Sequence, residues 1–379
     1  MRAILGRIAD FIRETDKILL FLCLFASFYG SVLVLSATRY TGSSRQFWVQ
    51  LASLLIGLTA AIVISLIDYE TIARWWPAVA GACLAVFALT FFIGYAPNDA
   101  GSPSWIRLPI GMSFQPSELL KVAFIVTFSK HVSLLKGAPP RFVHVVLLCL
   151  HGAVPVGLIV VQGDDGSALI MLGIFAGMMV AANVKLRYFI SAAAAATVAV
   201  PLMWFYKILK PHQIQRFTVL YGPDKDLAGV GYQQYHARIA FANGGFLGNG
   251  LFRGREVQGG ILPKAYNDFI YAACGEELGY LGCIVILILL VAICLRLMRV
   301  AALSKDNLGR MICVGVFSMI AIQAIVNIGM CLSLLPVIGI TLPFFTAGGS
   351  SLICIFMGIG LSVSVYSHRN KRILYLKDM

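Results

Sequence analysis

The sequence predicts an all-α polytopic membrane protein of about ten transmembrane helices, with a large extracytoplasmic loop between spans seven and eight. Three observations predict it. The 379-residue chain is 59% hydrophobic and 12% charged, about half the charged share of an ordinary soluble domain. Its mean hydropathy is +0.85. Apolar stretches long enough to cross a hydrocarbon core of ~30 Å recur along the whole length. Backbone groups in lipid must bond within their own segment, so helices are required. The short alternating strands of a barrel are not seen. Together these features exclude a soluble enzyme held by a single anchor.

The spans fall at about 18–37, 47–67, 77–95, 115–131, 142–162, 167–183, 188–206, 267–295, 311–335 and 349–367. An even number puts both ends on one side. Connections on that side carry eighteen Lys and Arg, counting Lys130 at a span edge, against Arg39, Arg45 and Arg107 on the opposite short loops. The positive-inside rule therefore makes both termini cytoplasmic. Residues 1–379 form one integral membrane domain, with a cytoplasmic segment at 1–17, the outer loop at 207–266 and a cytoplasmic tail at 368–379. No cleavable leader is expected, since the stretch from Met1 to Lys17 is polar and the first apolar run is long enough to stay in the membrane. The nine cysteines lie in apolar stretches with no C-x-x-C spacing, which points to thiols packed as small hydrophobes and away from metal or redox roles.

The outer loop departs from the charge rule. It holds Lys207, Lys210, Arg216, Lys225, Arg238, Arg253, Arg255 and Lys264 against Asp224, Asp226 and Glu256. A loop of this length crosses regardless of charge. Solvated charge is the plain reading, and an anionic ligand such as a lipid phosphate is the sharper one. Nucleic acid is a poor partner, because the basic loop faces away from the cytoplasm. Glycines interleaved with Tyr232, Tyr235, Phe241, Phe246 and Leu251 suggest short helical or re-entrant pieces rather than a spacer.

Ionisable residues at membrane depth are functional candidates. Asp268 sits where the basic loop meets the eighth span; a helix-start cap is its plain reading. Pro116 opens the fourth span, and Glu118 and Lys121 then share a face at i and i+3, either lining a cavity or paired at the headgroups. Arg107 lies just upstream. Asp164 belongs to a Gly–Asp–Asp–Gly run that reads first as a turn. Glu276 and Glu277 are expected to pack against interhelical donors, and His151 to be a hydrogen-bonded core histidine.

At these residues the chain resembles the SEDS proteins (shape, elongation, division, sporulation), the family of RodA, FtsW and their sporulation relative. The resemblance runs in order over nearly the whole chain. It is carried by Phe114–Gln115–Pro116–Ser117–Glu118, Gln162 with Asp164–Gly166–Ser167, and Gly229-x-Gly231–Tyr232–Gln233. Gly244–Gly245 with Gly248 and Gly250, Leu262–Pro263, Asp268–Phe269 and Gly275–Glu276–Glu277–Leu278–Gly279 follow. Asn327–Ile328–Gly329, Leu335–Pro336-x-x-Gly339, Leu342–Pro343–Phe344 and Gly348–Gly349–Ser350–Ser351 complete it. Each block alone is weak; their ordered co-occurrence is specific. The chain is a divergent member, most like RodA. Lys264 stands where an acid is common, Tyr266–Asn267 where His–Thr is usual, and His236–Ala237 where Gln–Ser is common. Gly163 replaces a proline, Asp165 is an extra acid, and the last turn begins with Ala347.

The resemblance implies a peptidoglycan glycosyltransferase in the bacterial cytoplasmic membrane. It would polymerise lipid II, an undecaprenyl-pyrophosphate-linked disaccharide-peptide, beside a class B penicillin-binding protein. It places the essential acid on Asp268 and the paired Glu and Lys on Glu118 and Lys121. Substrate binding would extend to Arg107, Arg216, Arg238, Asp164 and Gln233. The acceptor hydroxyl needs a base, and the departing pyrophosphate needs positive charge from Arg, Lys or a divalent ion, Mg or Mn. No resident metal site and no certain cofactor are implied. Direct displacement inverts the anomeric centre, and pyrophosphate leaves without protonation, so no second carboxylate is needed. Two other classes fit part of the pattern: a flippase of the lipid-linked precursor, which lacks the inverted repeat expected of many transporters, and another polyprenyl-linked sugar transferase or ligase, which would not share the ordered blocks.

Overall fold

The computed structural model describes residues 15–96, 102–107, 113–135, 140–206, 211–220 and 229–369. Its frame is helical. In order the helices are α1 (Lys17–Thr38), α2 (Arg45–Leu66), the short α3 (Tyr69–Arg74), α4 (Trp76–Ile93), α5 (Pro116–Ser133), α6 (Phe142–Gln162), α7 (Asp165–Ala181) and α8 (Leu186–Phe205). The long segment expected to be the outer loop contributes α9 (Pro211–Leu220), α10 (Val230–Gly244) and α11 (Arg255–Gln258). Then come α12 (Ile270–Glu277), α13 (Gly279–Ala302), α14 (Asn307–Cys331) and α15 (Gly349–Ser367). A two-residue antiparallel ladder, β1 (Ile106–Arg107) and β2 (Ser113–Phe114), precedes α5.

The helix starts follow from local chemistry. Asp16, Asp164 and Asp306 accept backbone N–H groups of the first turns of α1, α7 and α14, satisfying donors that the helix leaves unpaired. Pro116 opens α5, where a missing N–H costs nothing. Among the described residues, eight helices are long and apolar enough to cross a membrane, including α6, α8, α13, α14 and α15. The chain is a multi-pass membrane protein. Two expected spans take another form. The stretch at 115–131 is α5, which carries Glu118, Lys121 and Lys130 and is buried along most of its length. The stretch at 167–183 is α7, whose 17 residues are short for a full crossing.

The eighth span differs most from expectation. It was placed as one helix over 267–295; instead a turn holds Asp268, α12 follows, and α13 starts only at Gly279. Gly279 has φ +67, and a side chain there would meet the backbone of Phe246 and Gly248. Glycine alone lets the chain break and admit the outer loop so closely. Asp268 therefore lies in the turn before α12 and not in a helix.

The core is the packing of α14 against α5, α7 and α13, and of α15 against α2. By contrast α8 buries none of its apolar window against the rest of the chain. Expected segments at 1–17, 207–266 and 368–379 lie partly outside the described residues. Within the outer segment, α9, α10 and α11 supply the helical pieces that its composition suggested. All nine cysteines are free thiols; seven are buried, Cys149 is exposed and Cys294 half-buried. His151 is bonded as expected, to Thr127 at 3.1 Å, and also to His131 at 3.1 Å.

Candidate active site

Asp268 lies in the tight turn 263–269 that leads into α12. The turn is gripped by its backbone from two sides. Asn327 of α14 donates its Nδ2 to the Asp268 carbonyl at 2.8 Å and to the Ile340 carbonyl at 2.6 Å. Cys331, one turn on, points its Sγ at the same Asp268 carbonyl, 3.5 Å away. Ala347 donates its N–H to Tyr266 O at 3.0 Å. The chain at Gly339 (φ +72) passes beside the acid: a Cβ there would lie 3.5 Å from Asp268 Oδ2. The backbone is thus fixed while the carboxylate is left alone, and no donor among the described residues hydrogen-bonds it. Burial pushes its pKa above the ordinary carboxylate range, and the nearby Lys264 ammonium pulls it back part of the way. Asp268 keeps a partly open face, so a substrate hydroxyl has access.

The second polar cluster centres on α5 and α7. Glu118 and Lys121 form an ion pair at 2.8 Å, with both side chains nearly excluded from solvent. Asp164 caps α7 through the Ser167 N–H at 3.0 Å and also accepts Gln115 Nε2 at 2.7 Å and Ser167 Oγ at 2.9 Å. Its oxygens are occupied by neutral donors, so its first role is to tie α7 to the start of α5. Ser350, at the start of α15, receives the Gln115 N–H at 3.1 Å and donates to Ser113 O at 2.9 Å. Residues 347–351 therefore touch the Asp268 turn at one end and the Gln115 segment at the other, which joins the two clusters into one site.

The expected cations occupy different places. Arg107 is exposed, with its guanidinium 4.4 Å from the Tyr95 ring. Gln213 of α9 donates to Asp165 Oδ2 at 2.8 Å, which docks α9 against the start of α7. Arg216 follows one turn later, on the face that carries Gln213. Arg238 is exposed on α10, and Gln233 is half-buried. Its neighbour Gln234 is the buried one, donating to Met330 O at 3.3 Å and Leu335 O at 2.8 Å. Sequence reasoning missed Gln234, Gly339 and the grip of Asn327. A lone amide in an apolar run was the available signal at Asn327. Gln234 carried none that set it apart from Gln233.

Glu276 and Glu277 are structural. Glu276 is fully buried and accepts the backbone N–H groups of Glu256 at 2.8 Å and Val257 at 2.9 Å, which caps the one-turn helix α11. Glu277 is bonded by Ser36 of α1 and by Gln258 Nε2 at 2.7 Å. The pair straps the outer segment to α1 and α12. Among the described residues no group of three or more His, Cys, Asp or Glu could hold a metal ion.

Comparison with known proteins decides the family. Residues 16–371 match the model of the cell cycle protein family of FtsW, RodA and SpoVE. The chain belongs to this family. A relative from Trichlorobacter lovleyi, the probable peptidoglycan glycosyltransferase FtsW, is 30% identical over 93% of this chain and 93% of its own. The peptidoglycan glycosyltransferase MrdB of Escherichia coli is 28% identical over 93% and 94%. Among solved structures, a chain from a study of the structural coordination of polymerization and crosslinking by a peptidoglycan synthase complex is 27% identical. It covers 94% of this chain and 98% of its own, with a TM-score of 0.79. The rod shape determining protein RodA of Thermus thermophilus shares the fold, with a TM-score of 0.69 at 23% identity over 94% and 97%.

Proposed function

We propose that Asp268 is the general base of the glycosyl transfer that this chain, a peptidoglycan glycosyltransferase, carries out, with lipid II as the substrate. One observation carries the reading. Asp268 is a carboxylate with a fixed backbone, no hydrogen-bond donor among the described residues and a partly open face. A base must have lone pairs to spare, and a desolvated carboxylate is a stronger base than a solvated one. In the step, the acceptor sugar hydroxyl gives its proton to Asp268 as its oxygen bonds the anomeric carbon of the donor. The bond from that carbon to the pyrophosphate breaks, and undecaprenyl pyrophosphate leaves with the electron pair. Attack opposite the leaving group inverts the centre.

Arg216 and Arg238 of the outer helices, then Lys121 and Arg107, are the cations assigned to the pyrophosphate. A divalent ion, Mg or Mn, would ride on the pyrophosphate as part of the substrate. The Glu118–Lys121 pair and the Asp164 network shape the floor of the site, and Gln233 borders it on α10. With both termini cytoplasmic, as the charge bias of the connections suggests, Asp268 would lie at the outer face of the cytoplasmic membrane, where a class B penicillin-binding protein would crosslink the product.

The test is polymerisation of labelled lipid II by the purified protein, alone and with class B transpeptidases, for wild type and Asp268→Ala. Glycan ladders from wild type alone support the assignment. Equal ladders from both remove Asp268 as the base. Ladders from neither, coupled with lipid II flipping in liposomes, overturn the reading in favour of transport.

A further inference from the structure

Lys264 is an odd residue for its place. It opens the turn that ends at Phe269, and its backbone lies in the left-handed region at φ 52. That conformation strains a residue with a Cβ. Glycine would adopt it without the strain, and without a charge. The conformation is held by two hydrogen bonds: Lys264 O accepts the N–H of Asn267 at 2.9 Å and of Phe269 at 3.3 Å. The same two bonds close the turn around Asp268, four residues on, so the acid and the lysine are carried by one rigid unit. Lys264 is exposed while Asp268 is recessed, which puts the ammonium at the rim.

The elements packed around Asp268 bring little charge to it. From its own turn come Lys264 and Tyr266, and Tyr40 stands beside Tyr266. From α14 come Asn327 and Cys331, both neutral donors to its carbonyl. From α12 come Tyr271 and Cys274, with Glu276 and Glu277 occupied at the far end. The stretch 335–348 contains no ionisable residue. From α10, His236 is taken by Glu256 at 2.7 Å and Arg238 is exposed. Among the described residues, the charge set against the burial of Asp268 is that of Lys264.

We propose that Lys264 is a positioning residue for the reaction at Asp268: held at the rim by a left-handed backbone, its ammonium keeps the recessed carboxylate ionised and so able to take a proton. The inference rests on Asp268 being the base. A carboxyl buried without a counter-charge keeps its own proton and has no lone pair to offer at neutral pH. The rim lysine supplies the counter-charge through space. It leaves the oxygens of Asp268 open, where a direct hydrogen bond would occupy them.

The experiment reads the protonation of Asp268 without relying on activity. The full-length protein in nanodiscs is treated across a pH series with a water-soluble carbodiimide and glycine ethyl ester, which modify protonated carboxyl groups. Modification at Asp268 is read by mass spectrometry, with Asp268→Asn as the blank. Lys264→Met removes the charge and keeps the strain; Lys264→Gly removes both; Lys264→Arg keeps the charge. The midpoint of modification should move to higher pH by roughly one unit in the Met and Gly variants and stay in place in the Arg variant. The acidic limb of the lipid II polymerisation profile should move with it. Midpoints like wild type in the Met and Gly variants overturn the proposal, and so does a shift in Lys264→Gly alone, which would assign the effect to the backbone. Shifted midpoints with ladders that do not depend on Asp268 keep the Lys264 assignment and remove Asp268 as base, so the two readings fail separately.

Discussion

Asp268 and the pair Glu276–Glu277 lie within ten residues of one another, and the structure treats them in opposite ways. Glu276 has its oxygens filled by two backbone N–H groups, and Glu277 by Ser36 and Gln258. Asp268 has its carbonyl held by Asn327 and Cys331 while no donor among the described residues reaches its carboxylate. Burial raises the pKa of Asp268 and of Glu277 alike. The lone pairs of Glu277 are taken by donors and spent on structure, whereas those of Asp268 are left for a substrate proton. In this chain the donors around a buried acid, more than its depth, separate the strap from the base.

The sharpest way to break that contrast is Asp268→Asn. Polymerisation should fall by roughly 10²- to 10⁴-fold, the span of general-base contributions, while the protein purifies as a folded chain. A mutant that keeps most of its ladder formation would end the comparison. Next in size is the ion pair of α5. Glu118→Gln leaves the Lys121 ammonium buried without its counter-charge and should cost about 3–5 kcal/mol in thermal or denaturant unfolding. The double variant Glu118→Leu with Lys121→Met should recover most of it. A single variant as stable as wild type would show that the pair is hydrated.

Smaller again is Glu276→Gln, which leaves one helix-capping contact weakened. It should cost about 1–3 kcal/mol and speed limited proteolysis within 245–262, where a charge-saturated acid fastens the outer segment. Unchanged cleavage there would deny it the role of strap. The smallest effect has the opposite sign. The folded-state pKa of Asp268 is raised, so its stabilising contribution is present below the unfolded value and is lost as pH rises through the folded one. At neutral pH Asp268→Asn should therefore melt slightly above wild type, by roughly a degree or two, and the gain should vanish in acid. Loss of stability in both Asp268→Asn and Glu276→Gln would place the two acids in one class. Polymerisation itself should fade as pH drops through the raised Asp268 value, above the range of an ordinary carboxylate.

Much of the frame was legible in the chain. Span edges at α2, α6, α8 and α15 fall within two residues of where hydropathy put them, because a run of apolar residues in lipid has only the helix as a solution. The 116–121 pairing was equally local: Pro116 fixes the helix start, and i, i+3 spacing then brings Glu118 to Lys121. Asp164 read as a turn residue and proved to be a cap that also binds Gln115, because its partner lies forty-nine residues away. The eighth span was misread for a similar reason. Apolar residues continue through 270–275, whereas Asp268 lies in a turn before α12 that is held by Asn327 and Ala347, and the backbone of Phe246 and Gly248 against Gly279 breaks the helix again.

The sequence by itself determined that this chain spans the membrane many times, that its family is that of FtsW, RodA and SpoVE, and that Asp268, Glu118 and Lys121 were the ionisable groups to watch. These follow from composition, helical period and ordered motifs, which are properties of near neighbours along the chain. Only the tertiary structure decided which acid stays without donors. That depends on Asn327, Cys331, Gly339 and Ala347 arriving from 59 to 79 residues away, and on Ser36 and Gln258 going to Glu277 instead. Hydrogen bonding is short-ranged and directional, so the supply of donors to a carboxylate is fixed by where the fold places other segments and is not written in the residues beside it.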